Sequence, residues 1–351
     1  MKDLRWDRLT VLIVDDNRFI RELLTSVLKT LGVGKVIADV DGAAAIDRLK
    51  LSLEDPVSAG IGTVDLIISD WVMPQVDGKL FLRWIRTGPN VPDRFVPIVM
   101  ISGAADREVV EDARDGGVTE FLAKPFASKT IADRLLMLVN TPRHYVLAAG
   151  YFGPDRRRTT VPVAEERRVT MREDIQFIRG PSSEKTLRED VRAIHFDLDD
   201  RLREKLGPDA RKIPVAFDPV LIQAAEKRIQ ALVGDYGDWM ERYLIAATEA
   251  QQTLQTGKGD PDQAIAKINE VAHELRGQGG IFDYPLITDV GKSLYKATKP
   301  TGHPPTKDRI KLIGAHIDTI RTVFKNKIVG DGGEVGTALL KEISEAVKRY
   351  Q

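Results

Sequence analysis

Residues 65–78 read DLIISDWVMPQVDG. The apolar run Leu66–Ser69 ends abruptly on an acid, Asp70. A turn containing Pro74, Asp77 and Gly78 then leads into an amphipathic stretch, Lys79–Arg86. A short apolar run bounded by turn residues predicts a buried parallel strand that delivers a carboxylate to its C-terminal end. Open α/β sheets place their ligands at that rim.

The flanking sequence repeats the pattern. Residues 10–16, TVLIVDD, form an apolar strand ending on Asp15 and Asp16, and Arg18–Leu31 carries a helical stripe of Ile20, Leu23, Leu24, Val27 and Leu28. A short strand over 35–38, a helix over 42–50 and a polar loop over 52–63 precede the organising strand. After it come strand 97–101 (PIVMI) ending on Ser102-Gly103, helix 106–115, strand 120–123 ending on Lys124-Pro125, and helix 128–140. Five alternations of strand and helix predict a doubly wound, five-stranded parallel sheet of the α/β class. Asp15, Asp16, Asp70, Ser102 and Lys124 all fall at one rim. Clustered carboxylates repel unless a cation joins them, and oxygen ligands without His or Cys favour Mg2+. Lys124 suits an arriving anion, so the rim is equipped to form a phosphoryl-aspartate.

With VLIVDD, DWVMPQVDG, the SG after the fourth strand and the KPF after the fifth, residues 8–140 resemble a response-regulator receiver domain. The resemblance implies strand order 2-1-3-4-5 and Asp70 as phosphoacceptor. It makes Asp15, Asp16, Asp70 and the Val72 carbonyl the protein's share of a Mg2+ shell. Ser102 and Lys124 match the family's switch hydroxyl and lysine, and Phe121 its switch aromatic. A phosphohistidine donor or histidine kinase is the implied partner. The resemblance also allows two copies to pair through the switch face.

From Thr141 the periodicity stops. Residues 141–215 read as a charged linker, largely extended or disordered, with a short amphipathic helix over 195–206. It contains YFGPDRRR (151–158), whose Arg156–Arg158 run is a solvated charge cluster or an anion contact. From 216 to 351 the chain is helical by period, beginning with the N-cap signal Asp218-Pro219, repeated at Asp260-Pro261. The expectation is an all-α bundle.

Within that bundle, VAHELRGQGGIFDYPL spans 271–286. Ile265, Ile268, Ala272 and Leu275 mark the buried face, which turns His273 toward water. Arg276 lies three residues on, where it can hold a phosphoryl oxygen, and Gly277 four residues on. This resembles the histidine phosphotransfer (HPt) domain, with Arg where Lys is usual. It implies that His273 exchanges phosphate with a receiver, of this chain or another. HELR also opens the phosphoacceptor helix of sensor kinases, but too little chain follows for an ATP-binding domain.

The two resemblances together imply a phosphorelay protein. The alternatives are a bundle that docks receivers or a kinase without carrying phosphate, or one that hastens loss of phospho-aspartate. Composition agrees with a multidomain, cytoplasmic protein. The 351 residues hold 52 basic and 52 acidic side chains, no field for DNA, and no cysteine for thiol or metal–thiolate chemistry. No stretch approaches the ~20 apolar residues of a membrane span. The opening MKDLRWDRLT has no apolar signal core, and no helix-turn-helix pattern is present.

Overall fold

Apolar residues crowd into four of the five receiver strands because those strands are covered on both faces. In the computed structural model, β3 (Leu66–Asp70) and β4 (Ile98–Ser102) are buried at every position. β1 (Thr10–Val14) and β5 (Glu120–Ala123) flank them, and β2 (Lys35–Asp39) is the half-exposed edge. The structure describes residues 4–103, 107–124, 126–156, 175–179, 193–198, 200–212, 214–234, 236–279, 282, 284–299 and 302–350. The sheet is parallel, in the order β2-β1-β3-β4-β5.

Helices α1 (Arg18–Thr30), α2 (Gly42–Glu54), α3 (Gly78–Thr87), α4 (Arg107–Asp115) and α5 (Ser128–Asn140) make the crossovers. Asn17, Asp41 and Asp77 cap the first three by accepting from the amides of Ile20, Ala44 and Leu80. Such side-chain oxygens satisfy amides that have no partner inside the helix. α5 has no side-chain cap of its own. Instead Glu226, far along the chain, accepts from Ser128 N at 3.1 Å and from Ser128 Oγ at 2.6 Å.

The stretch expected to be a linker contains strands. β6 (Tyr145–Ala148) and β7 (Tyr151–Pro154) form a hairpin, turned through Gly150 at φ +73°. With β8 (Ile175–Arg179) and β9 (Ala193–Asp197) they make a four-stranded sheet in the order β7-β6-β9-β8. The helix expected over 195–206 is confined to α6 (Arg201–Lys205), since 193–197 is β9. These strands are only four or five residues long, and β6 pairs with β9 (Tyr145 opposite Phe196), a partner no local window contains. Arg157 and Arg158 lie outside the described residues.

Aromatic packing joins this sheet to the receiver. Phe95 sits edge-on to Tyr145, Phe152 and Phe196, with ring centroids 5.4, 5.1 and 5.3 Å away. Arg86, at the end of α3, is 1 % exposed and donates to the carbonyls of Gly117, Arg94 and Val96, while its guanidinium lies 5.3 Å from the Tyr145 ring centroid. Burial pulls the Arg86 pKa below its usual value, yet a guanidinium stays charged and its hydrogen bonds hold it in place. Gly117 and Gly153 let the two layers touch: a Cβ on Gly153 would stand 2.6 Å from Gly117 Cα.

The chain divides into two compact units, residues 1–229 and 230–351, with the division inside α7 (Pro219–Gly234). The second unit is helical: α8 (Tyr236–Thr256), α9 (Pro261–Gln278), α10 (Pro285–Ala297), α11 (Lys307–Lys325) and α12 (Gly333–Tyr350). α9 packs on α8 and α10, and α11 on α8, α10 and α12. Ile268, Ala272, Leu275, Ile287, Leu294, Ile313 and Ile317 are buried in this bundle. Asp260 caps α9 at its own Pro261, as the sequence signal requires.

Arg86→Met should lower the stability of the first unit by about 3 kcal/mol, because the buried carbonyls of Gly117 and Val96 and the part-buried carbonyl of Arg94 lose their donor. Urea unfolding of the full chain measures this, and an unchanged midpoint would show that Arg86 is not the tie described.

Candidate functional site: the carboxyl rim of the receiver sheet

The parallel register brings the predicted rim residues together. Val14 lies opposite Ser69, so Asp15 and Asp70 emerge side by side, while Asp70 pairs with Ile101 and Ser102 with Ala123. Asp15 and Ser102 are 1 % exposed and Asp70 8 %. The Lys124 amide donates to Ser102 O at 2.8 Å, locking the ends of β4 and β5 together.

Lys124 Nζ stands 3.0 Å from Asp15 Oδ2 and 3.3 Å from Asp70 Oδ2. The other oxygens are held by backbone: Asn17 N donates to Asp15 Oδ1 at 2.8 Å, and Trp71 N to Asp70 Oδ1 at 2.9 Å. Ligand oxygens of Asp15, Asp16 and Asp70 all lie within 4.8 Å of one another. Three carboxylates therefore face one ammonium. Burial raises the Asp15 pKa to about 7; Lys124 opposes that rise, and Asp70 and Asp16 add to it. Asp70 is also raised, by burial first, with Lys124 opposing and Asp16 reinforcing. Burial disfavours the Lys124 ammonium, but Asp15, Asp70 and Asp16 outweigh it and the net shift is upward.

This donor set fits a small hard cation. It offers only oxygen, carries excess negative charge, and has an ammonium on one side that leaves another side for an anion. Val72, two residues past Asp70, lies in an exposed part of the turn. Phe121 is half-buried against the receiver core.

Gly78 has a role that its place in a turn did not disclose. A Cβ there would stand 2.2 Å from Asp70 O and 2.8 Å from Trp71 Cα. The start of α3 thus rests directly on the backbone that carries Asp70. Only the Asp-Gly pair heading a predicted helix hinted at it.

In the second unit, His273 is half-buried on α9 rather than turned fully to water. Its ring lies 5.7 Å from Tyr295 of α10, and Arg276 Nη2 lies 3.1 Å from His273 Nδ1. The Arg276 guanidinium also sits 4.7 Å from the Tyr295 ring centroid. Helical periodicity fixed the direction of His273 from its own helix but not the neighbouring helix that covers it. Gly291 allows that neighbour in: a Cβ there would meet Arg276 N at 2.9 Å. Arg276 and Gly277 are likewise half-buried. His316 is fully buried between Leu312 O and Ser293 Oγ, and burial lowers its pKa, which makes it a packing residue.

Residues 11–136 match the family described as the response regulator receiver domain. Over 125 residues the chain is 30% identical to chemotaxis protein CheY-3 of Vibrio cholerae, covering 36% of this chain and 87% of that protein. The chain belongs to the response regulator receiver family. It is also 26% identical to chemotaxis protein CheY of Pseudomonas aeruginosa, over 36% of this chain and 91% of that relative. Among solved structures, the receiver domain of the histidine kinase CKI1 from Arabidopsis thaliana, complexed with Mg2+ and BeF3−, is 28% identical, with a TM-score of 0.32 over 37% of this chain and 93% of that one. The receiver of this chain is of the kind used in two-component and chemotaxis signalling, consistent with phosphoryl acceptance on an aspartate. No helix among the described residues is long and apolar enough to cross a membrane.

Two outcomes follow from the rim. A raised carboxylate pKa means that the folded state binds more protons than the unfolded chain between about pH 4 and about pH 7, so this contribution to stability falls as pH rises through that window. Without divalent cation, the melting temperature should drop from about pH 5 to about pH 8 more steeply in the wild type than in Asp15→Asn, and Mg2+ should reverse the drop only in the wild type. Gly78→Ala should destabilise the receiver by about 1–3 kcal/mol, the usual cost of forcing an atom into packed space, read by thermal or urea unfolding.

Proposed function

We propose that the protein is a two-component signalling protein with two phosphoryl stations, Asp70 in the receiver and His273 in the helical bundle. The observation that carries the first station is Lys124 Nζ standing within 3.3 Å of Asp70 Oδ2 and 3.0 Å of Asp15 Oδ2. One cation thus already spans the nucleophile and its neighbouring acid.

Asp70 Oδ attacks the phosphorus of a phosphohistidine carried by a kinase or another donor. The O–P bond forms as the P–N bond breaks, and the departing imidazole nitrogen takes up a proton. Trp71 N holds Asp70 Oδ1, which leaves Oδ2 as the attacking oxygen beside Lys124. The Lys124 ammonium neutralises charge on the transferring oxygens. Asp15 and Asp16, with the Val72 carbonyl, are the residues that would hold Mg2+ at Asp70, and Mg2+ supplies charge neutralisation at the phosphoryl group. Ser102 then donates to a phosphoryl oxygen and Phe121 turns inward, altering the face made by α4, β5 and α5. That face is where a second copy or a partner would read the signal.

His273 has the composition of an HPt station. Arg276 lies three residues on and already touches its imidazole, and Gly277 leaves bare backbone beside it. The direction of exchange is with a receiver, of this chain or another, in the cytoplasm. A second reading, in which the bundle docks a receiver or a kinase without carrying phosphate, or speeds loss of phospho-aspartate, is favoured by one observation. The His273 ring is half-buried against Tyr295, and a phosphorylated imidazole needs an approachable nitrogen.

Incubating the full chain with a labelled phosphohistidine donor and Mg2+ separates these readings. Acid-labile, base-labile label lost in Asp70→Asn reports the aspartyl phosphate. Base-stable label that vanishes in His273→Gln reports the second station. Label confined to Asp70, unaffected by His273→Gln, would reduce the bundle to a docking or phosphatase role.

A further inference from the structure

The first unit holds a cavity at the edge of the sheet opposite Asp70. It lies under the N-terminal ends of β3, β4 and β5 and is flanked by the C-terminal turn of α5, by β6, by Leu198 and by residues 200–203. Ion pairs Arg201–Asp93 at 2.8 Å and Lys205–Asp65 at 2.5 Å tie that covering segment down. Phe95, Pro97, Leu138 and Leu198 supply apolar wall. The space open to water centres is about 80 Å3. At ~10–15 Å3 for each water, that is room for about six, or for a molecule of roughly one ring.

Two polar groups on this wall are unsatisfied. Tyr145 is 3 % exposed, and its hydroxyl has no hydrogen-bond partner among the described residues. Arg203 Nε is also buried and without one among the described residues, although its side chain is 19 % exposed. Buried donors left unmade cost about 1–3 kcal/mol each, and more for a charged group, so a pair of them at one cavity points to a ligand that completes both. The Tyr145 ring cannot swing away, because Phe95 and the Arg86 guanidinium hold it from two sides.

The chemistry narrows the ligand. An Arg N–H only donates, so the ligand presents an acceptor to Nε. The other contacts of Arg203 are the neutral Asn140 Oδ1 at 3.1 Å and Asp200 at 3.9 Å, beyond hydrogen-bonding distance. Asp200 is close enough to pair with this guanidinium but not to accept a hydrogen bond from it, so an anionic acceptor at Nε is still favoured. We propose that this cavity binds a small carboxylic acid with an apolar body of about one ring, its carboxylate accepting from Tyr145 Oη and Arg203 Nε. Bound there, the acid joins residues 200–203 to the base of the receiver sheet. The site is independent of the phosphoryl rim.

Calorimetric titration of the full chain with benzoate and with valerate tests this. Saturable one-site binding of at least one acid is expected. Tyr145→Phe and Arg203→Lys should each weaken it about tenfold or more, the value of a hydrogen bond to a charged group. The neutral benzamide should bind the wild type correspondingly more weakly, a comparison that needs no variant to fold. Binding by neither acid, or an affinity unmoved by Tyr145→Phe, overturns the proposal. So does a crystal structure grown with the acid in which only water meets Tyr145 Oη and Arg203 Nε.

Discussion

The contact of the Lys124 ammonium with Asp15 and Asp70 is the constraint on which the receiver depends. It draws together the ends of β1, β3 and β5, which are not all neighbours in the sheet. The Lys124 side chain is 5 % exposed, so the charges meet where water screens them little. Removing Lys124 from this cluster would leave buried carboxylates uncompensated, which is far costlier than losing a surface pair. Even so, one ammonium cannot balance three carboxylates. Burial drives the rise of Asp15 to about 7; Lys124 opposes it, and Asp70 and Asp16 add to it. Fold and site therefore share a cause: the register that buries the apolar strands also crowds acids at their ends, and the crowding creates demand for a cation.

This linkage explains what could be read from sequence. Asp70 and Lys124 each end an apolar run, and a buried strand has only one end at which a charge is tolerated. Period and terminator thus fixed both the sheet and its rim. Arg86 was opaque for the same reason reversed. On the stripe of Lys79–Arg86 it reads as a basic residue closing a helix, where positive charge is ordinarily solvated. Its burial depends on carbonyls of Gly117, Arg94 and Val96, which no pattern within the helix announces.

The small sheet was illegible on other grounds. Tyr145, Phe152 and Phe196 are scattered through polar sequence, and each is a weak signal alone. Their meaning appears only when Phe95 supplies a common centre between them. A short hairpin is marginal in water without a hydrophobic face to rest on. Here the receiver provides that face, so the strands are a consequence of tertiary packing rather than of local preference. Gly117 and Gly153, back to back, let the two layers approach closely enough for the aromatic rings to meet.

On the two-station reading, the arrangement at His273 also constrains its chemistry. Arg276 can only donate, so the imidazole Nδ1 beside it is an acceptor and the proton of the neutral ring resides on Nε2. In that tautomer the attacking lone pair is on Nδ1, where Arg276 covers it, and Nε2–H has none to give. Acceptance through Nε2 therefore requires the Arg276 contact to open and the ring proton to move to Nδ1, and that proton is free to leave once the N–P bond has formed. The Tyr295 face gives the guanidinium a place to rest when it leaves Nδ1. A lysine at this position, with a tetrahedral ammonium and no planar face, would stack less well on Tyr295. The arginine and the tyrosine are thus best understood as a matched pair, and the half-burial of His273 as its cost.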